Sequence, residues 1–360
     1  MIMISFCRRG VEGSIDMYSF KNDYSETGHP RILQALLESN AEQDEGYGCD
    51  RHSENAKALI GQRLGRFADQ VEIHFLCGGT QTNLTALSAF LRPHEAVLAA
   101  ETAHICVHET GAIEATGHKI VALPAMDGKL TPGKIEAALN LHTDEHMVKP
   151  RLVKLSNSTE IGSVYYLGEL EAIAELCRRK KLLLYLDGAR LGSALTCAGC
   201  DVTLEDLCRL TDAFCIGGTK NGAMIGEALV LCNDALKPDF RYHIKQKGGL
   251  LAKGRILGVQ FEELFRDDLF FDLARHANEM AQRIAAALKE KKCAFLTNSP
   301  SNQIFPILPD ALIEKLRENW NFYIWQKMDE DCSAIRIVTS WATTEAAVES
   351  FVDEVIALSS

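Results

Sequence analysis

The chain has 360 residues, a formal net charge of -11 at pH 7 and a hydrophobic fraction of 47%. This length and apolar content allow a large buried core that divides into two lobes. The acidic balance, which no basic tract offsets, argues against nonspecific binding of nucleic acid or of an anionic membrane surface, so a small molecule is the expected partner.

The number and spacing of the cysteines predict the cellular compartment of the protein. The twelve cysteines are scattered along the chain, as in proteins of a reducing compartment, which predicts a cytoplasmic location. The apolar stretch 1–6 is too short for a secretion signal, and no apolar run approaches the roughly 18 residues of a membrane span. Cys197 and Cys200 have the spacing of a zinc pair, but no second pair or histidine couple follows, so no metal site is predicted.

Apolar strands and amphipathic helices alternate along most of the chain, which is typical of an α/β protein. Residues 1–18 are predicted to be an appended tail, residues 19–240 a large domain and residues 241–360 a smaller C-terminal domain with connecting helices. The predicted helices are 30–39, 53–64, 132–141, 167–179, 204–210, 242–265 and 269–289. The predicted strands are 71–76, 96–99, 119–123, 151–155, 182–186, 213–216 and a return strand within 224–231.

The first candidate functional segment follows the strand at 71–76. There Gly78, Gly79 and Thr80 precede a helical pattern that starts near residue 84. Glycines let backbone amides approach an anion, and a helix N-terminus adds partial positive charge. The segment is a candidate phosphate cradle, although a Gly-Gly-Thr turn is also a common connection between strand and helix.

Two later strands end in charged residues. The strand at 182–186 is followed by Asp187 and Arg190, and the strand at 213–216 is followed by Lys220. Ligands of open α/β sheets bind at such carboxyl ends. A lysine that forms an imine and an aspartate that keeps a pyridinium nitrogen protonated are the residues that pyridoxal phosphate requires. Alone, each residue also fits a turn or a solvated loop, but their order at successive strand ends favours a cofactor site.

Four motifs in this order resemble the threonine aldolase and β-eliminating lyase family of fold-type I pyridoxal phosphate enzymes. They lie at 78–83, at 103–111, at 186–191 and at 218–222, and the likeness runs from about residue 20 to the C-terminus. The resemblance implies an α/β fold in which helices sandwich a mostly parallel mixed sheet, followed by a smaller C-terminal α+β domain. It also implies that the chain is a lyase that uses pyridoxal 5'-phosphate.

The resemblance implies cofactor contacts residue by residue. Lys220 matches the family's Schiff-base lysine, and Asp187 matches the partner of the pyridinium nitrogen. Arg190 matches the arginine near the ring hydroxyl. Gly79 and Thr80 match the phosphate-binding turn.

Two further matches concern the substrate. His104 matches the histidine that stacks on the cofactor ring and assists proton transfer, and the alternative is a histidine satisfied by backbone groups. Arg336 matches the arginine that holds the substrate carboxylate, and the alternative is a residue that faces solvent on a half-exposed strand. Glu109, in the same motif as His104, is a further candidate for proton transfer.

The sequence departs from the family pattern in two places. Many members carry Glu-Asn-Thr-His before the aspartate strand, whereas this chain has Ser-Asn-Ser-Thr-Glu at 156–160. The second histidine is therefore absent, and Glu160 is either its replacement as a base or a surface charge. Near the N-terminus, Asn22 stands where the family tends to have a serine, and it is predicted to lie near the substrate carboxylate.

Two segments are predicted to act across a subunit interface. In the family, a Tyr-Gly stretch that matches Tyr47 approaches the active site of a neighbouring subunit, and Lys253 lies where relatives carry a basic residue that reaches the phosphate. These matches predict a homodimer or homotetramer with active sites at the interface. A plain Gly-rich turn and a solvated helix face are the alternatives.

The predicted reaction is cleavage of the Cα–Cβ bond of a β-hydroxy-α-amino acid, such as L-threonine or L-allo-threonine, to glycine and an aldehyde. One alternative is β-elimination from a cysteine- or tryptophan-like substrate, for which freed Lys220 would remove the Cα proton. A second alternative is a non-catalytic protein that binds pyridoxal phosphate.

Overall fold

The computed structural model describes residues 17–358, so residues 1–16 of the predicted tail lie outside the described residues. The helices are α1 Pro30–Glu38, α2 Arg51–Arg63, α3 Gly79–Phe90, α4 His104–Val107, α5 Pro132–Leu141, α6 Leu167–Lys180, α7 Leu191–Thr196, α8 Leu204–Leu210, α9 Phe240–Gln246, α10 Arg255–Phe265, α11 Leu269–Glu290, α12 Asp310–Leu316 and α13 Glu345–Leu358. The strands are β1 Tyr18–Ser19, β2 Glu72–Leu76, β3 Glu95–Ala100, β4 Lys119–Leu123, β5 Lys149–Ser156, β6 Leu183–Asp187, β7 Ala213–Gly217, β8 Glu227–Leu231, β9 Ala294–Phe295, β10 Gln303–Ile304, β11 Pro306–Pro309, β12 Trp320–Asn321, β13 Tyr323–Lys327 and β14 Cys332–Val338. None of these helices is long and apolar enough to cross a lipid bilayer.

The larger sheet has the strand order β2-β8-β7-β6-β5-β3-β4. Strand β8 runs antiparallel to both of its neighbours, and the other pairings are parallel. Strands β3, β6, β7 and β8 are buried along their whole length, as apolar strands are when helices cover both faces of a sheet. The structure thus confirms the predicted α/β fold with a mostly parallel mixed sheet and a return strand.

Two large hydrophobic cores, beside one small cluster around Val164 and Ala194, hold the described residues together. The larger core is built on this sheet and includes Phe261 of α10 and Leu273 of α11. The second core joins the later part of α11 and α13 to the C-terminal strands, and it includes Phe20 and Phe351. Helix α11 therefore contributes its first half to the larger core and its second half to the other core. The N-terminal strand β1 pairs with β12 of the C-terminal domain. The predicted domain boundaries at residues 18 and 240 stay predictions.

The prediction of one helix over residues 242–265 was wrong. Helix α9 ends at Gln246 and α10 begins at Arg255. Between them Gly248 adopts a φ of 75°, in the left-handed region that glycine reaches without a steric penalty. The helical periodicity on both sides of this turn concealed the break.

The sheet topology brings the sequence motifs to one edge. Strands β2, β3, β5, β6 and β7 run in the same direction, so the segments that follow them meet where the sheet opens. Strand β8 runs the other way, and its first residue, Glu227, pairs with Gly217 at the end of β7. Glu227 therefore joins the same edge from the opposite direction.

Candidate active site

A cleft of about 650 Å³ opens at this edge, between the large sheet and the C-terminal strands. Its walls include His104, Glu160, Arg190 and Lys220 from the large domain, and Trp325 and Arg336 from the C-terminal domain. The structure thus brings four of the predicted site residues, His104, Arg190, Lys220 and Arg336, to one cavity.

Lys220 lies in the turn after β7 and contributes to the floor of the cleft. Among the described residues, no carboxylate lies within ion-pair distance of its ammonium group. Burial and the nearby positive charge of Arg190 lower the pKa of Lys220. Both effects favour the neutral amine, which is the nucleophilic form of lysine.

Glu227 lies close to Lys220 but does not stabilise the protonated form of the lysine. Burial raises the pKa of Glu227 to about 8, and the charge of Lys220 opposes that rise. A carboxyl group with this pKa is largely neutral at pH 7. Lys220 therefore has no ionised partner at this end of β8.

Asp187, the last residue of β6, is buried at the base of the site. Its Oδ2 accepts hydrogen bonds from Lys154 Nζ at 2.9 Å and from Asn83 Nδ2 at 3.1 Å, and its Oδ1 accepts from the backbone N–H of Ala189 at 3.1 Å. Burial alone would raise the pKa of Asp187, but Lys154 and the other donors hold it well below its usual range. The carboxylate is therefore ionised at neutral pH.

Lys154 is the second buried lysine of the site, and its electrostatic setting is the opposite of that of Lys220. Its side chain is fully buried on β5. Burial alone would lower the pKa of Lys154, but Asp187 and Glu160 raise it above its usual value. Lys154 therefore stays an ammonium ion, and it is not a nucleophile.

A line of hydrogen bonds connects Asp187 to His104. Asn83 Nδ2 also donates to Glu109 Oε1 at 2.8 Å, and this oxygen lies 2.8 Å from His104 Nδ1. The Tyr185 hydroxyl donates to Asn83 Oδ1 at 2.9 Å, which fixes the orientation of the amide. Because the partner of Nδ1 is a carboxylate oxygen, we assign the proton to Nδ1 and leave Nε2 as the acceptor. The Glu109 side chain is fully buried, so it acts on the cleft through His104.

Arg190 is held by an ion pair with Asp23, which lies 167 residues earlier in the chain. Its Nε and Nη2 donate to the two oxygens of Asp23 at 2.6 and 2.9 Å. Asn302 Nδ2 donates to the same carboxylate at 2.9 Å. Burial opposes ionisation of Asp23, but the charge of Arg190 lowers the pKa of this carboxyl group. The bidentate geometry fixes the plane of the guanidinium group at the cleft wall.

Arg336 extends from β14 into the cleft and has no carboxylate partner among the described residues. Its guanidinium lies 5.4 Å from the centre of the Trp325 ring. Its Nε is buried and has no hydrogen-bond partner in the structure. Burial and the charge of Arg190 lower the pKa of Arg336 to about 10. A buried cation with a free donor is a site for an anion, and the solvent-facing alternative for Arg336 is thereby excluded.

The predicted phosphate turn forms the beginning of α3. Gly79 is the first residue of this 12-residue helix, and no side chain caps its N-terminus. A Cβ atom added at Gly78 or Gly79 would meet only open space, and Thr80 is exposed. Free backbone amides at an open helix N-terminus suit a phosphate group.

Besides Gly79, Thr80 and Asp187, which lie at the same sheet edge but outside the cleft lining, three predicted substrate and cofactor residues do not line this cleft. Asn22 Oδ1 accepts from the Tyr24 backbone N–H and the Ser25 hydroxyl, both at 3.0 Å, so its side chain stabilises a local turn. Tyr47 lies on the surface under the Lys245 ammonium. Lys253 is exposed beside a separate groove. Their assignments stay predictions.

The residues at this edge fit pyridoxal phosphate. A carboxylate offers about four acceptor positions. Three nitrogen donors bind Asp187 and the Cys215 thiol, a weak donor, lies 3.8 Å from Oδ1, so a protonated ring nitrogen would compete only with that thiol. Lys220 supplies an amine of lowered pKa for the aldehyde, and the N-terminus of α3 supplies a phosphate site. His104 lies on the cleft wall, where an imidazole can pack against a flat ring.

Comparison with known proteins gives the same result. The β-eliminating lyase family matches residues 21–310 of the chain. A low specificity L-threonine aldolase of Pseudomonas aeruginosa is 34% identical over 318 residues, which cover 87% of this chain and 90% of that protein. The structure of Leishmania major threonine aldolase superposes with a TM-score of 0.93 at 49% identity, and the match covers 95% of this chain and 100% of that one. A double mutant of Thermus thermophilus aspartate aminotransferase, 13% identical, superposes with a TM-score of 0.70 over 96% of this chain and 92% of that one.

The fold and the site together define a fold-type I pyridoxal phosphate enzyme. Within this class, the chain belongs to the β-eliminating lyase family. The family, the fold class and the cofactor predicted from the four motifs are confirmed.

Sequence reasoning gave no role to Asp23, Asn83 or Lys154. Asn83 belongs to a motif that was recognised, but its partners are 26 and 104 residues away along the chain. Lys154 could have been identified from the sequence, because a single lysine inside an apolar strand predicts a buried carboxylate partner. Nothing in the local sequence distinguishes Asp23 from a surface residue.

Proposed function

We propose that this protein cleaves the Cα–Cβ bond of β-hydroxy-α-amino acids such as L-threonine and L-allo-threonine, giving glycine and an aldehyde. The observation that carries the proposal is the pairing in one cleft of Lys220, whose pKa is lowered by burial and by Arg190, with a buried arginine, Arg336, that lacks a counter-ion. The first suits an aldehyde cofactor and the second suits the carboxylate of an amino acid. The activities of the Pseudomonas aeruginosa and Leishmania major relatives support the same reaction.

Each residue of the cleft has a part in this reaction. Arg336 binds the carboxylate of the substrate and fixes its orientation. Asp187, kept ionised by Lys154, holds the ring nitrogen protonated. Bound pyridoxal phosphate supplies a conjugated ring that accepts the electron pair of the broken bond. His104 would pack against the ring of the bound cofactor, and its Nε2 is available for a proton because Glu109 occupies Nδ1.

Product analysis tests the proposal. We expect the wild-type enzyme, incubated separately with L-threonine, L-allo-threonine and L-cysteine, to form glycine and acetaldehyde in equal amounts from at least one threonine isomer. The assays measure glycine, acetaldehyde and pyruvate. Pyruvate from cysteine, without glycine from either isomer, would refute the proposal and establish β-elimination instead.

Replacement of Arg336 tests the carboxylate site. We expect Arg336→Lys to raise the KM for threonine by about 10- to 100-fold, because a lysine gives a point charge but not the two parallel donors of a guanidinium group. The cofactor absorbance of the variant should match that of the wild type, since Arg336 is not assigned a cofactor contact. An unchanged KM would place the substrate carboxylate elsewhere.

The oligomeric state and the cellular location are further parts of the proposal. We propose a homodimer or homotetramer in which the surface residues Tyr47 and Lys253 complete the site of a neighbouring subunit. Neither residue lines the cleft of its own chain, which supports this, as does the family resemblance. Sedimentation of the holoenzyme tests it, and a monomer with full activity would refute it. We also propose a cytoplasmic location, which the scattered free thiols favour.

A further inference from the structure

Glu160 is held in the cleft by one of its two carboxylate oxygens. Its Oε1 accepts hydrogen bonds from the backbone N–H of His104 and from the Ser156 hydroxyl, both at 2.8 Å. Lys154 Nζ lies 3.9 Å from the same oxygen. The side chain is only 14% exposed, so Glu160 is not a surface charge. These contacts fix the orientation of the carboxylate.

The second oxygen of Glu160 has no partner. Oε2 is buried and makes no hydrogen bond in the structure, while the side chain lines the same cleft as Lys220 and Arg336. A buried carboxylate oxygen without a donor is costly, because its lost hydration is not replaced. The site therefore provides a position for a group that donates a hydrogen bond to Oε2.

The other carboxylates near the cleft are less suited to this role, because Glu109 and Glu227, which also each have a buried oxygen without a partner, do not line the cleft. Glu109 is fully buried, and its Oε1 binds Asn83 and His104. Asp187 and Asp23 each pair with a basic side chain. Glu160 is the carboxylate of the described cleft lining that combines an anchored oxygen with a free one.

We propose that Glu160 is the base that removes the proton from the β-hydroxyl group of the substrate. The inference rests on the proposed aldol cleavage. The β-O–H bond breaks, and its proton passes to Oε2 of Glu160. The electrons of that bond form the second bond of the aldehyde C=O group, and the Cα–Cβ bond breaks with its electron pair remaining on the Cα side, where the bound ring would delocalise it. Water then supplies a proton to Cα to give glycine, and Glu160 releases its proton to water, so the carboxylate is restored and no proton is gained or lost overall.

Glu160→Gln is a selective test of this role. The amide oxygen of glutamine still accepts from His104 N–H and from Ser156, so the side chain keeps its anchor, but it is no longer basic. We expect kcat for threonine cleavage to fall by at least about 10²-fold, the usual contribution of a general base. Glycine has no β-hydroxyl group, so exchange of its α-hydrogens in D₂O, followed by NMR, should stay within about threefold of the wild-type rate.

The outcomes separate this role from others. Cleavage by Glu160→Gln within about threefold of the wild-type rate would refute the proposal. An equal loss of cleavage and of glycine exchange would also refute it, because it would show that Glu160 only maintains the site. A wild-type enzyme that exchanges glycine but cleaves neither threonine isomer would refute the proposed function itself. Glu101→Gln serves as the matched control, since Glu101 Oε1 accepts from a backbone amide outside the cleft, and it should retain both activities.

Discussion

The Lys220→Ala variant is expected to lose threonine cleavage by at least about 10³-fold, together with the borohydride-reducible link between the cofactor and the chain. The reason is that alanine offers no amine at the end of β7. Lys220 lies in a turn, and its ammonium has no ion-pair partner among the described residues, so the fold should be retained. Activity, cofactor absorbance after reduction and the thermal unfolding midpoint are the measurements.

Lys154→Met provides the matched control for this experiment. Both lysines are buried near Asp187, but the pKa of Lys154 is raised and that of Lys220 is lowered. Only Lys220 should therefore form the covalent link, and Lys154→Met should retain it. If the reducible link persists in Lys220→Ala and disappears in Lys154→Met, then Lys154, and not Lys220, forms the covalent link to the cofactor.

The Asp187→Asn variant is expected to lose about 10²-fold or more in turnover. Asparagine keeps the shape of the side chain but removes the charge that holds the ring nitrogen protonated. It also leaves Lys154 buried without its closest counter-ion. We therefore expect an additional loss of about 3 kcal/mol in the free energy of unfolding, measured by urea titration.

A double variant separates these two effects. In Asp187→Asn combined with Lys154→Met, the buried ammonium is gone, so most of the stability should return while turnover stays low. A loss of turnover below about threefold in the single variant, which corresponds to less than about 0.7 kcal/mol, would remove Asp187 from its catalytic role. Recovery of turnover in the double variant would show that the defect was structural.

The fold and the meeting of Asp187 and Lys220 at one edge of the sheet were predictable because their signals are local. Uninterrupted apolar runs indicated the buried strands, and the charged residues that follow them indicated the opening of the sheet. Asp187 and Lys220 needed no knowledge of distant partners, because the direction of parallel strands places them at one edge. The position of Arg336 came from the resemblance, since its strand alone left its direction open.

The contact between Lys154 and Asp187 depends on which strands pair with each other. The sequence of a single strand does not reveal that pairing. Ser156 pairs with Asp187 in the β5–β6 register, and side chains two residues apart lie on the same face of a strand. Lys154 therefore faces Asp187 only because β5 lies next to β6. Near the N-terminus the prediction selected Asn22, whereas the neighbouring Asp23 is the residue that reaches Arg190.

The N-terminal segment limits how far the two domains can move apart. Phe20 donates its N–H to Asn321 and accepts from the N–H of Val338, both in the C-terminal domain, while Asp23, three residues later, is paired with Arg190 of the large domain. A hinge rotation that moved the C-terminal strands away from the large sheet would have to stretch this three-residue segment or break a buried ion pair. The cleft should therefore resist opening wider than it is in this structure, so amino acids with long side chains should be excluded by its width.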